Sequence, residues 1–140
     1  MKEFEFIEHT ADIGLRIYGE NLENLFSNAA KALFSLIVDK VPEEKNKEII
    51  SLKADDLEEL FVTWLNELIT LFFCFKFLSA SYELKITTTE AEATLIATIL
   101  GQEFDPYQNQ TKTEVKAATY HNLKVDKVDA GYVAEVIFDI

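Results

Sequence analysis

The 140-residue chain sets 25 acids against 13 Lys and Arg, a formal net charge of -12 at pH 7, and is 49% hydrophobic with 11 Phe. That apolar content excludes wholesale disorder, and a chain of this length folds most simply as one domain spanning residues 1–140. The acid excess repels phosphate backbones, which argues against direct, stable binding to RNA or DNA and points instead to cations or to a basic protein partner.

The opening "EFEFIEH" alternates as a strand does, with Phe4 and Phe6 on one side and Glu3, Glu5 and Ile7 on the other. A turn through "TADIG" leads into a second strand, "LRIYG". In "NLENLFSNAAKALFSLIV" the period changes: Leu22, Leu25, Phe26, Ala29, Leu33, Phe34 and Ile37 share one helical stripe, and Asn21 is placed to cap it. Pro42 and "EEKNK" form a loop before a strand over residues 48–53. Asp55 followed by Glu58 marks the start of a second helix, with Leu57, Leu60, Phe61, Trp64, Leu65, Leu68 and Phe72 as its apolar face. A hairpin is expected over "YELKITTTEAEATLIATILG". After the loop "FDPYQNQTK" come two more strands, "VKAATYHNLKV" and "YVAEVIFDI", joined by a "DAG" turn. The expected fold is α+β, two helices packed on a largely antiparallel sheet.

The greasiest run, "LITLFFCFKFL", is too short for the ~18–20 apolar residues that span a bilayer, and Lys76 interrupts it. One cysteine allows no internal disulfide, and the N-terminus lacks the apolar core of a signal peptide. A soluble, cytoplasmic protein with no membrane association is therefore expected. Cys74, inside the apolar run, is expected to be buried and inert rather than a nucleophile paired with His9 or His121.

No dinucleotide or P-loop glycine pattern, CxxC pair, HExxH or GxSxG is present, which removes the common cofactor and nucleophile signatures. His121 sits in a strand, where a hydrogen-bonded structural role is the ordinary one. Lys116 follows Val115; if Val115 faces the core, Lys116 faces solvent or a partner, with solubility as its default role. In "EHTADIG", turn chemistry suffices for Asp12. The end of the sequence is less ordinary: Asp139 stands beside the main-chain carboxylate of Ile140. Anions held close together repel unless a cation or proton lies between them, and hard oxygen ligands suit Ca²⁺ or Mg²⁺ better than Zn²⁺. Spacing alone leaves open whether the first turn and the last strand meet.

Four segments taken together, "EHTADIG", "WLNELI", "EVKAATYHNLKV" and a terminal strand ending in Asp plus one apolar residue, resemble the archease family across essentially the whole chain and in the family's order. The post-helix segment "TLFFCFKFLSA" is more aromatic than that pattern. The resemblance implies a compact α+β domain and an accessory role, without catalytic residues of its own. The implied partner is an RtcB-type RNA ligase, which joins RNA ends in tRNA splicing and RNA repair after a metal-dependent charging with GMP. The accessory protein would promote that guanylylation and the ligase's turnover. The resemblance also implies a divalent metal, calcium foremost with magnesium or manganese as alternatives, held by Asp12, Asp139 and Ile140. It makes Lys116 a candidate contact to the ligase or its nucleotide, and it places His9 and His121 at motif positions without assigning them a task. Two other readings stand beside it: a small metal-dependent hydrolase using Asp12 and Asp139 with a histidine base, and an adaptor module with a purely structural calcium.

Overall fold

The computed structural model describes residues 2–7 and 12–140. Strands β1 (Phe4–Ile7) and β2 (Ile13–Gly19) precede helix α1 (Leu22–Ile37). Strand β3 (Asn46–Ala54) leads to helix α2 (Leu57–Phe75), and β4 (Phe77–Thr88), β5 (Ala93–Glu103), β6 (Ala117–Val128) and β7 (Gly131–Asp139) complete the chain.

The α+β class is as expected, but the strands divide into two sheets rather than forming one. The first has the order β1-β2-β7-β6 and the second β3-β5-β4. Every pairing in both is antiparallel. Each helix packs on both sheets, α1 chiefly on β2 and β4, α2 on β6, β3 and β4. The helices are therefore the joint between two sheets, and both helices and both sheets contribute to one core.

Both helices begin where a side chain satisfies an orphan backbone donor. The Asn21 side chain accepts from the Asn24 N–H at 2.8 Å. For α2 the cap is Asp56, whose Oδ1 accepts from the Glu59 N–H at 2.8 Å, one residue later than the expected Asp55. Asp55/Glu58 and Asp56/Glu59 satisfy the same three-residue spacing, so the pattern does not choose between them. Helix α2 ends at Lys76 in the left-handed region (φ 58°), whose N–H reaches the carbonyls of Leu71 and Phe72.

The helical stripes lead inward as their spacing requires: Leu25, Phe26, Ala29 and Leu33 of α1 meet Leu60, Phe61, Trp64, Leu65 and Leu68 of α2, all with no exposed surface. Phe26 and Phe61 stack edge to face with centroids 5.1 Å apart, and the buried Trp64 indole N–H donates to the Phe26 carbonyl at 2.9 Å. At Gly101 of β5 an added Cβ would lie 2.0 Å from the Leu78 carbonyl oxygen, so only glycine permits the β4–β5 approach there.

Candidate metal centre

The pairing of β2 with β7 places Ile13 opposite Phe138, Leu15 opposite Val136 and Ile17 opposite Ala134. Leu15, Ile17, Ala134, Val136 and Phe138 are all fully buried, so this set faces the helices. Side chains alternate along a strand, which turns Gly14, Arg16, Glu135 and Ile137 to the opposite face. One position beyond the Ile13–Phe138 pair come Asp12, just ahead of β2, and Asp139, the last residue of β7, in phase with the outward set. On the far side of β7, Ala117 of β6 opposes Asp139, and the Lys116 N–H donates to the Asp139 carbonyl at 2.8 Å. Positions 12, 116 and 139–140, remote in sequence, thus converge at one end of the four-stranded sheet. Asp12 is half-buried; Lys116, Asp139 and Ile140 are exposed. Val115 is fully buried, as expected if Lys116 is to face outward.

This end of β6 is held from behind by α2. The strand lies at the edge of its sheet, so one row of its backbone groups has no strand to pair with. The Asn66 side chain supplies the missing partner: its Oδ1 accepts from the Ala118 N–H at 2.8 Å and its Nδ2 donates to the Ala118 carbonyl at 3.2 Å. A primary amide offers one donor and one acceptor side by side and so imitates a strand backbone. Asn66 lies within "WLNELI", yet one polar residue among several on this helix gives no sign in sequence of which strand it ties down.

Further along the outward face, the Arg16 guanidinium bridges two carboxylates. Its Nη1 meets Glu5 Oε1 at 2.8 Å and its Nη2 meets Glu135 Oε1 at 2.9 Å, while the Tyr18 hydroxyl donates to Glu5 Oε1 at 2.7 Å. Hydrogen bonds from Lys2, Tyr18 and Arg16 hold the Glu5 carboxyl down at about 2, well below its ordinary 4.5. These three strands are thereby cross-linked by charge on the face that carries Asp12 and Asp139.

The family model described as "Archease protein family (MTH1598/TM1083)" matches residues 4–140. The chain belongs to the archease family. It is 39% identical over 142 residues to the Protein archease of Methanosarcina mazei, covering 99% of this chain and 97% of that one. It is likewise 39% identical to the Pyrococcus abyssi Protein archease, over the full length of both. The solution structure of Methanobacterium thermoautotrophicum protein 1598 superposes with a TM-score of 0.85 at 32% identity, covering 100% of both chains. The crystal structure of a Thermotoga maritima archease has a TM-score of 0.63 at 24% identity, over 96% of this chain and 94% of that one, and likens the fold alone.

The oxygen-bearing groups at this sheet end are the Asp12 and Asp139 carboxylates and the Ile140 main-chain oxygens, which makes them the candidate donors. Among the described residues there is no group of three or more His, Cys, Asp and Glu placed to hold a metal. An all-oxygen set of this kind fits a hard divalent cation and lacks the nitrogen and sulfur ligands that zinc prefers.

The other candidates fall in different places. His9 lies outside the described residues. His121 is exposed, in an irregular stretch of β6 where the register slips between Thr119–Ile137 and Lys124–Glu135. Asn122 there takes a left-handed conformation (φ 53°), which asparagine tolerates better than most residues, and the bulge turns Tyr120 out to 60% exposure. The partial burial that remains, followed by the charges of Glu59 and Asp56, raises the Tyr120 pKa. Cys74 corrects an expectation: it is exposed, not buried. At 100° per residue it sits roughly a third of a turn off the Leu60–Leu68 stripe, and that phase outweighs the apolar character of its neighbours. No helix among the described residues is long and apolar enough to cross a membrane.

Proposed function

We propose that this archease is an accessory protein of an RtcB-type RNA ligase, acting in the cytoplasm to promote the ligase's guanylylation and turnover in tRNA splicing and RNA repair, without itself catalysing ligation. The observation that carries this reading is the strand register at the end of the four-stranded sheet, which aligns Asp12 with Asp139 and ties Lys116 to the same strand end. Asp12, Asp139 and the main-chain oxygens of Ile140 would hold a divalent cation, calcium foremost, with magnesium or manganese served by the same donors. A cation held there supplies positive charge that can offset phosphoryl oxygens during nucleotide transfer. The protein's part is to hold two carboxylates at adjoining strand ends, where one cation can take oxygens from both. The Lys116 backbone fixes the Asp139 strand end while its exposed ammonium is left to face the ligase or its nucleotide. The net charge of -12 complements a basic, RNA-binding cleft and speeds encounter with it.

The test is GMP incorporation into a purified RtcB-type ligase with and without substoichiometric archease. Stimulation over many turnovers is expected. Asp12→Asn, with an unchanged melting temperature, should lose it by about tenfold or more, the equivalent of one charge-assisted contact. No stimulation by the unaltered protein refutes the accessory role. Full stimulation by the variant refutes the carboxylate site while leaving the role intact.

A further inference from the structure

Between the C-terminal turns of α1 and strand β4 lies a cavity of about 200 Å³, lined by Lys31, Lys40, Lys112, Ser79, Phe34 and Val38. It is built from segments other than those that carry Asp12 and Asp139. Three of the chain's 13 basic residues meet at this one hollow in a protein of net charge -12. They arrive from three separate places: Lys31 from within α1, Lys40 from just after it, and Lys112 from the stretch that precedes β6. The most buried residue of the lining is Ser79, 1% exposed. Its hydroxyl lies beside that of Tyr82, and among the described residues neither finds a well-formed hydrogen-bond partner. A buried hydroxyl without a partner is unfavourable and calls for an occupant or a reason.

We propose that this cavity binds the phosphoryl group of a small phosphate monoester. Three ammonium groups and one hydroxyl offer four donor side chains. A phosphate monoester answers with several acceptor oxygens and a charge of roughly −1.5 to −2 at neutral pH. A carboxylate brings a single charge and two oxygens, and leaves donors unmet. The volume corresponds to about seven waters at ~30 Å³ each. That holds a phosphoryl group and a short body against Phe34 and Val38, but it falls below the ~300–1,000 Å³ of sites that enclose larger ligands. The negative end of α1 would oppose an anion, and the fold counters it: Lys112 Nζ donates to the Ser35 carbonyl at 3.0 Å. The one acid at the rim, Asp39, is directed at main chain, accepting from the Gln110 N–H at 3.1 Å. Lys31 meets Glu3 only loosely, at 3.8 Å, and Lys40 has no ion-pair partner among the described residues.

The experiment titrates the full chain with inorganic phosphate and with glycerol phosphate at constant ionic strength, following backbone amide resonances and melting temperature. Binding should move the amides of Ser79, Ala80 and Lys112 and raise the melting temperature, with glycerol phosphate the tighter ligand. Lys40→Gln should weaken affinity by about tenfold. Ser79→Ala removes a hydroxyl whose one neighbour is the Tyr82 hydroxyl, so the free protein should melt within a degree or two of the original, yet lose most of the rise that phosphate produces. The proposal is overturned if millimolar phosphate leaves those amides unmoved, if acetate acts as well as phosphate, or if both variants keep the original affinity.

Discussion

Asn66→Ala removes a side chain that serves as a substitute strand. Two groups lose their partners at once, the Ala118 N–H and the Ala118 carbonyl. Ala118 is 5% exposed, so water does not readily replace the amide. Leaving a buried donor or acceptor unmade costs about 1–3 kcal/mol each, and with partial relaxation of the strand the total is about 2–4 kcal/mol. Against the ~7–20 kcal/mol expected of 140 residues the variant remains folded. A domain of this size loses about 2–4 °C of melting temperature per kcal/mol, so a fall of roughly 5–15 °C is expected. Urea unfolding gives the free energy, and amide hydrogen exchange reports the Ala118 N–H directly. Asn66→Asp sharpens the test, because it keeps the acceptor for the Ala118 N–H but turns a second oxygen toward the Ala118 carbonyl; it should be no more stable than the alanine variant at neutral pH. A loss below about 0.5 kcal/mol, the range of an ordinary surface substitution, with Ala118 exchange unchanged, would refute the reasoning.

The Glu5 carboxyl, held at about 2 rather than 4.5, contributes stability that is complete above pH 4.5 and is lost as pH falls through 2. Glu5→Gln should therefore be less stable than the unaltered protein at pH 7, and the difference should close between pH 4.5 and 2; a constant gap across an acid titration followed by circular dichroism contradicts this. Gly101→Ala forces a Cβ to within 2.0 Å of the Leu78 carbonyl, so β4 and β5 must part locally, at a cost of about 3 kcal/mol in chemical denaturation. A loss under 1 kcal/mol there would mean that the strands give way more easily than their packing indicates. Association with an RtcB-type ligase should slow as salt is added, since the net charge of -12 acts at long range; stopped-flow rates that ignore ionic strength would remove the electrostatic argument.

Period alone carried much of the fold. The helical stripes ending at Ile37 and Phe72 lie in the core, and the expected hairpin is β4–β5. Structure and sequence part where phase overrides composition, as at Cys74, or where two neighbouring patterns are equivalent, as at Asp55 and Asp56. The division into two sheets depends on which strands pair across more than a hundred residues, and an alternating pattern marks a strand without naming its neighbour. Asn66 was missed for the same reason, because its partner Ala118 is 52 residues away.

The candidate metal centre shows how far phase reaches once a pairing is known. In β2 the fully buried side chains are Leu15 and Ile17; in β7 they are Ala134, Val136 and Phe138, with Ile137 covered on the opposite face. Given antiparallel pairing of these strands, burying both sets together places Asp12 and Asp139 on the same outer face. A slip of one residue would drive Glu135 and Ile137 of β7 to the face now held by Val136 and Phe138. It would bury a carboxylate, break the Arg16–Glu135 ion pair and separate Asp12 from Asp139 in a single step. The cost of that buried charge protects the register. The hydrophobic choice that secures the core therefore also aligns the two carboxylates, and a substitution far from both, at Leu15 or Val136, acts on the site only by way of that register.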